Sequence, residues 1–211
     1  MLRRLVSTVF LVLVLSSGYA PTAGSADGVP GLILSGSAES PVKLEVFSDF
    51  ECPACGYFFL NTARQVLKNY GDKVCLIYYE FPLDMHKYAR PAARYVSAAA
   101  RLGDRKKLLT LFEALFTDQS KWSKNGDLET YVAGALSPED FQKMKSVMET
   151  DGAGIDLEIE RDIQVGEAKK IEATPTIFLI HAGKQERVVM PSNITNMYTL
   201  LSWRLNGLLG Q

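Results

Sequence analysis

Cys52 and Cys55 stand three positions apart in the stretch FSDFECPACGYF, Phe47 to Phe58, after a β-like run and before a segment with helical spacing. Two thiols so placed can ligate a soft metal, close a short disulfide, or cycle between dithiol and disulfide. Cys52 occupies the expected N-cap of a helix. There its sulfur meets unpaired backbone N–H groups and the positive end of the helix dipole, which favour a thiolate. Pro53 suits the first helical position, because the N–H it lacks would have had no helical partner. Cys55, one turn on, can reach back to the first sulfur.

Each alternative makes its own demand on the rest of the chain. A zinc site needs a second pair of ligands, and the remaining candidates, Cys75, His86 and His181, show neither CxxC nor HxxxH spacing. A static disulfide across so short a loop would restrict the unfolded chain little. A soft metal such as copper could be held by the thiol pair with the distant His181, although no methionine-rich or further histidine ligands lie nearby. On the residues alone, a redox pair and a copper carrier both stay open, and no resident metal is assigned. Cys75, inside the apolar run KVCLIYYEF, is expected to be a buried, inert thiol.

The pair must be held by the elements around it. Val42 to Ser48, VKLEVFS, is β-branched and aromatic, and its nearly unbroken apolar pattern predicts a strand buried on both faces. Tyr57, Leu60, Ala63, Arg64 and Leu67 predict one helix from Pro53 to about Tyr70, and Lys73 to Phe81 predicts a second strand. Strand, helix and strand in this space open a βαβ unit with a parallel sheet. A short apolar island, Gly31 to Leu34, reads as an edge strand. Helical patterns then run from Ala89 to about Lys170, with Leu108, Leu111, Phe112 and Leu115 on one buried stripe and Ser137-Pro138 as a helix start. TPTIFLIHAGKQERVVM reads as two strands around Ala182-Gly183-Lys184, and a last helix follows from about Thr195 to Asn206.

The N-terminus sets the compartment. Met1-Leu2-Arg3-Arg4, the apolar run Leu5 to Leu15 and the small residues up to Ala26 have the layout of a secretory signal peptide. That run falls short of the roughly 20 residues a membrane span needs. Cleavage after Ala26 removes two arginines and no acid, leaving an acidic mature chain with no basic cluster to neutralise nucleic-acid phosphates. Nucleic acid is therefore not expected as a partner. The expected location is periplasmic or secreted, where disulfides persist, yet three cysteines are too few for a disulfide-dense scaffold.

The runs PVKLEVFSDFECPAC, KVCLIYYEFPLDMHKYARPAARYVSAAA and ATPTIFLI together resemble the DsbA-like branch of the thioredoxin superfamily, the bacterial periplasmic thiol-disulfide oxidoreductases. The resemblance covers the chain from about Leu32 to the C-terminal helix. It implies an α/β thioredoxin fold, residues 27–83 and 171–211, with an inserted α-helical domain, residues 84–170, after a signal peptide at 1–26. It also implies a redox-active Cys52-Cys55 pair that needs no further cofactor, Cys52 as the accessible attacking sulfur and Cys55 as its shielded partner. Pro175 would be a cis-proline beside the pair. Thr174 would face the cysteines, offer its backbone to an extended substrate, and tune the redox poise through its hydroxyl.

By the same resemblance, Glu45 is the candidate buried acid for proton transfer to Cys55, although one extra residue separates it from Cys52. Asp49 and Glu51 would oppose the thiolate or lie solvated on a loop. Pro53-Ala54 lacks the histidine that the strongest oxidases of the family carry between their cysteines, which implies an intermediate potential. The implied partners are unfolded or reduced exported proteins and a membrane redox partner that resets the pair.

Overall fold

The computed structural model describes residues 30–191 and 193–210. The expected signal peptide, residues 1–26, lies outside the described residues.

A five-stranded sheet forms the centre, built from β1 (Leu32–Ser35), β2 (Val42–Ser48), β3 (Val74–Glu80), β4 (Thr176–His181) and β5 (Lys184–Arg187), in the order β1-β3-β2-β4-β5. β2 and β3 are parallel, as the βαβ reading requires. The other pairings are antiparallel, so the sheet is mixed rather than parallel. β2 is central and buried along both faces, which accounts for its unbroken apolar pattern.

The crossover between β2 and β3 departs from one regular helix. α1 (Pro53–Phe58) and α2 (Arg64–Tyr70) are joined by a π-helical stretch, Phe59–Ala63, in which the Arg64 N–H reaches the Phe59 carbonyl five residues back. The wider turn keeps Phe59, Thr62 and Ala63 all buried, with the Phe59 ring stacked against Phe116. Apolar periodicity reports the buried face of a helix and is blind to one added residue in a turn.

Between β3 and β4 lie α3 (Ala89–Ala100), α4 (Arg105–Thr117), α5 (Gln119–Asn125), α6 (Leu128–Ala135), α7 (Pro138–Thr150) and α8 (Gly152–Ala168). Ser137 caps α7 by accepting from the Asp140 N–H, as its sequence predicts. The inserted helices share their core with the sheet. Phe50, Tyr78, Phe112 and Phe116 form one aromatic group, and Trp122 donates to the Leu115 carbonyl. α8 covers the other sheet face, where a side chain at Gly166 would collide with the Phe81 ring. After β5, a 3₁₀ turn (Ile194–Asn196) leads into α9 (Met197–Leu209), which ends at Gly210 in the left-handed region. No helix among the described residues is long and apolar enough to cross a membrane.

Candidate active site

β2 ends by delivering the chain to the N-terminus of α1. Cys52 is the N-cap, with extended backbone (φ −74°, ψ 119°), and Pro53 opens the helix. The carbonyl of Cys52 accepts from the Cys55 and Gly56 N–H groups, which closes the first turn. Pro53 and Ala54 are exposed, whereas Cys52 is 7% and Cys55 0% exposed. The outer sulfur is thus itself largely covered, and what surface the pair retains belongs to Cys52.

Both cysteines are thiols in this structure, and they differ sharply. A hydrogen bond from the Cys55 thiol holds the Cys52 pKa down at about 6, against the opposing effect of burial, and the Thr174 hydroxyl and the N–H groups of Cys55 and Ala54 act in the same direction. Burial, and the neighbouring Cys52 sulfur, push the Cys55 thiol well above its ordinary value. The Asp49 N–H points at Cys55 Sγ from 3.5 Å. One sulfur is poised to be a thiolate at neutral pH and the other to keep its proton.

Thr174 and Pro175 come to the pair from 122 residues away. The Thr174–Pro175 peptide bond is cis, and the Cys52 thiol donates to the Thr174 carbonyl at 3.4 Å. The Thr174 hydroxyl is buried beside the sulfurs but completes a hydrogen bond with no described residue. It favours the Cys52 thiolate from that position without being locked to it.

Glu45 does not join them. Strand alternation turns it with Phe47 toward the face covered by α8, away from Leu44, Val46 and Cys55. There its carboxylate accepts from Lys169 Nζ at 2.7 Å, Gln185 Nε2 at 2.9 Å and the Tyr79 hydroxyl at 3.4 Å. The buried acid on the pair's own face is Glu80, opposite Ser48 in the ladder and in alternation with Leu76 and Tyr78. Burial raises its pKa well above the carboxylate range, with Asp162 and Asp49 adding to it, and one of its oxygens has no partner among the described residues.

Asp49 and Glu51 also differ from expectation. The Asp49 side chain is fully buried and joins two segments: Oδ1 accepts from the Glu51 N–H at 2.7 Å and the Cys52 N–H at 3.2 Å, and Oδ2 accepts from the Leu83 N–H at 2.8 Å. His86 Nδ1 lies 2.8 Å from the same Oδ2. Glu51 accepts the Tyr88 N–H at 2.6 Å, and Gln119 of α5 donates to the Phe50 and Cys52 carbonyls. Helical-insertion residues thereby clamp the cysteine loop. His86 could have been found in the sequence by asking what pairs with Asp49 in the FPLDMH run; Gln119 carries no such signal.

A family model described as Thioredoxin matches residues 29–190. The curated relatives it resembles include Na(+)/H(+) antiporter NhaA 1 of Mycolicibacterium gilvum, 28% identical over 155 residues (72% of this chain, 23% of that protein), and Na(+)/H(+) antiporter NhaA 3 of Salinispora tropica, 28% identical over 188 residues (82% and 27%). The chain spans about a quarter of the length of these relatives. Among solved structures it is similar to oxidised BdbD from Bacillus subtilis (19% identity, TM-score 0.63, covering 84% of this chain and 92% of that one). It is also similar to Pseudomonas aeruginosa DsbA2 (25%, 0.63, 83% and 94%) and to reduced DsbA from Mycobacterium tuberculosis (18%, 0.58, 90% and 91%). The chain belongs to the thioredoxin family and has the fold of its DsbA-like thiol-disulfide oxidoreductases, with a helical domain inserted between β3 and β4.

Proposed function

We propose that the chain is an exported thiol-disulfide oxidoreductase that exchanges disulfides with reduced or unfolded exported proteins through Cys52 and Cys55. The observation that carries this reading is the inequality of the pair: Cys52 is held near pKa about 6 at a helix N-terminus, and Cys55 keeps its proton behind it. In the oxidising direction a substrate thiolate attacks Cys52 Sγ of the disulfide, and Cys55 leaves as a thiolate and takes up a proton. A second substrate thiolate then attacks the substrate sulfur of the mixed disulfide and releases Cys52 as a thiolate. The substrate loses two electrons and the protein gains them. A membrane redox partner of the disulfide-donor class then returns the pair to the disulfide. Reduction or isomerisation runs the same steps from the Cys52 thiolate.

The roles follow from position. Cys52 is the exchanging sulfur and Cys55 the resolving one. Pro53 and Ala54 form the exposed lip, while Thr174 and Pro175 offer backbone to an extended segment, a sequence-tolerant way to hold unfolded chain. A Cys52 value about 6 falls between the thioredoxin cysteine, at about 7, and the strongest oxidase, at about 3.5. The reduction potential expected from it lies between about −270 and about −120 mV. Sodium–proton exchange is not part of this proposal.

Cys52→Ser is expected to lower disulfide exchange on a reduced, unfolded protein substrate by at least about a thousandfold, the scale lost with a covalent nucleophile. Full activity in that variant would end the reading. Tight stoichiometric Cu(I) binding with negligible turnover by the unaltered protein would favour the copper carrier instead.

A further inference from the structure

His86 lies between β3 and α3, 37 residues after Asp49, and reaches back to it. Because a carboxylate only accepts, the proton of this contact is on Nδ1, and Nε2 has no partner among the described residues. Through one buried carboxylate the ring is coupled to the backbone of Cys52 at 3.2 Å, and Asp49 in turn directs its own N–H at Cys55 Sγ. The charged groups facing His86 are Asp49 and Glu51 from the loop before α1 and Cys52 at the start of α1. On its own segment Asp84 is exposed and Lys87 is turned over the Tyr88 ring.

A bare Asp49 carboxylate with no exposure would oppose a thiolate at Cys52 strongly, since water cannot screen it. The dipeptide between the cysteines supplies no cation to offset it. We propose that His86 is a positioning residue for the redox pair: as an imidazolium held on Asp49, it cancels the carboxylate's charge beside Cys52 and so stabilises the outer thiolate and the dithiol form. Burial works against a charged ring, but the hydrogen bond and charge of Asp49, with Cys52 and Glu51 adding to them, raise the His86 pKa above its ordinary value. The proposal rests on Cys52 being the exchanging thiol, and it places at the entrance of the helical insertion the cation that Pro53-Ala54 lacks.

The test uses the full chain and its His86→Gln variant, with Cys52 titrated by thiolate absorbance at 240 nm and the pair equilibrated against glutathione. Gln keeps a donor for Asp49 without a charge. The thiolate fraction near pH 6 should fall about threefold to tenfold, and the potential should move by up to the same factor, about 15–30 mV toward the reducing side. The difference in potential should vanish above the pH at which the wild-type ring, followed by NMR, loses its proton, and Asp49→Asn combined with His86→Gln should return the titration toward wild type. An unchanged titration, a potential difference that persists after the ring has lost its proton, or a titration shift that Asp49→Asn does not relieve overturns the proposal.

A measurement without substitution guards against misfolding of the variants. The His86 ring pKa, followed by NMR, should drop when the pair is oxidised and the Cys52 charge is lost; no change would equally overturn the proposal. Neither readout needs turnover, so failure here is separable from failure of the exchange activity tested with Cys52→Ser.

Discussion

On the α8-covered face of the sheet, Glu45 is held by Lys169, Gln185 and Tyr79, and the Lys169 ammonium also lies over the Phe178 ring at 4.9 Å. On the face that carries the cysteines, Glu80 and Tyr78 each bury an oxygen without a partner among the described residues, as does Thr174 in the loop beside them. Burial alone does not separate the two acids, since Glu45 is 8% and Glu80 1% exposed. Their hydrogen bonds do. A saturated network holds one charge state and one geometry, whereas unpaired groups near two thiols can follow a change in charge as the disulfide opens and closes. The acid on the strand leading to the motif lies on the face away from the cysteines, and the acids of the neighbouring strand and loop lie beside them.

The largest expected effect concerns Asp162 of α8, a buried acid that two backbone N–H groups hold. Asp162 accepts from the Gly31 and Glu80 N–H groups, which have no strand partner because β1 begins at Leu32, opposite Tyr78. Burial raises its pKa from 3.8 to about 7. The folded state therefore binds this proton more tightly than the unfolded chain does. Its contribution to stability is complete below pH 3.8 and is lost as the pH rises through about 7, a ceiling of about 4 kcal/mol. Urea unfolding across this window should show the decline, and Asp162→Asn should flatten it. An equal slope in both proteins would show that this α8 carboxyl, although fully hydrogen-bonded like Glu45, does not carry the pH dependence.

Lys169→Met probes the saturated side. Losing one partner of a largely buried ion pair should cost about 2 kcal/mol in urea unfolding, less than a fully buried pair because Lys169 keeps some contact with water. The Cys52 thiolate titration should not move; a shift would show that Glu45 communicates with the pair after all.

Thr174→Val should have the smallest effect and the opposite sign. Removing an unpartnered buried hydroxyl is expected to add up to about 1 kcal/mol. The same change should raise the Cys52 pKa slightly, because that hydroxyl favours the thiolate. Stability and thiolate titration measured on one sample check both.

Much of the frame was legible in local patterns. β2, β3, the hairpin around Gly183 and the cap at Ser137 follow from propensity, turn chemistry and N-capping within a few residues. Even the inequality of Cys52 and Cys55 begins in such terms, since the N-cap and Pro53 define which sulfur meets the helix terminus. The π-helical turn was not legible, because it preserves the apolar face that periodicity detects. Place before the motif points to Glu45, and charge to Asp49 and Glu51; neither states which way a side chain turns or what meets it.

The candidate chemistry, a strand followed by CPAC at the start of a helix, is local, because N-caps, first-turn proline and strand alternation act over a handful of residues. Only the folded chain brings the groups that surround that chemistry into contact with it. Thr174 arrives across 122 residues, His86 across 37 and Gln119 across 67, because burial and hydrogen-bond geometry exist only once distant segments close around the pair.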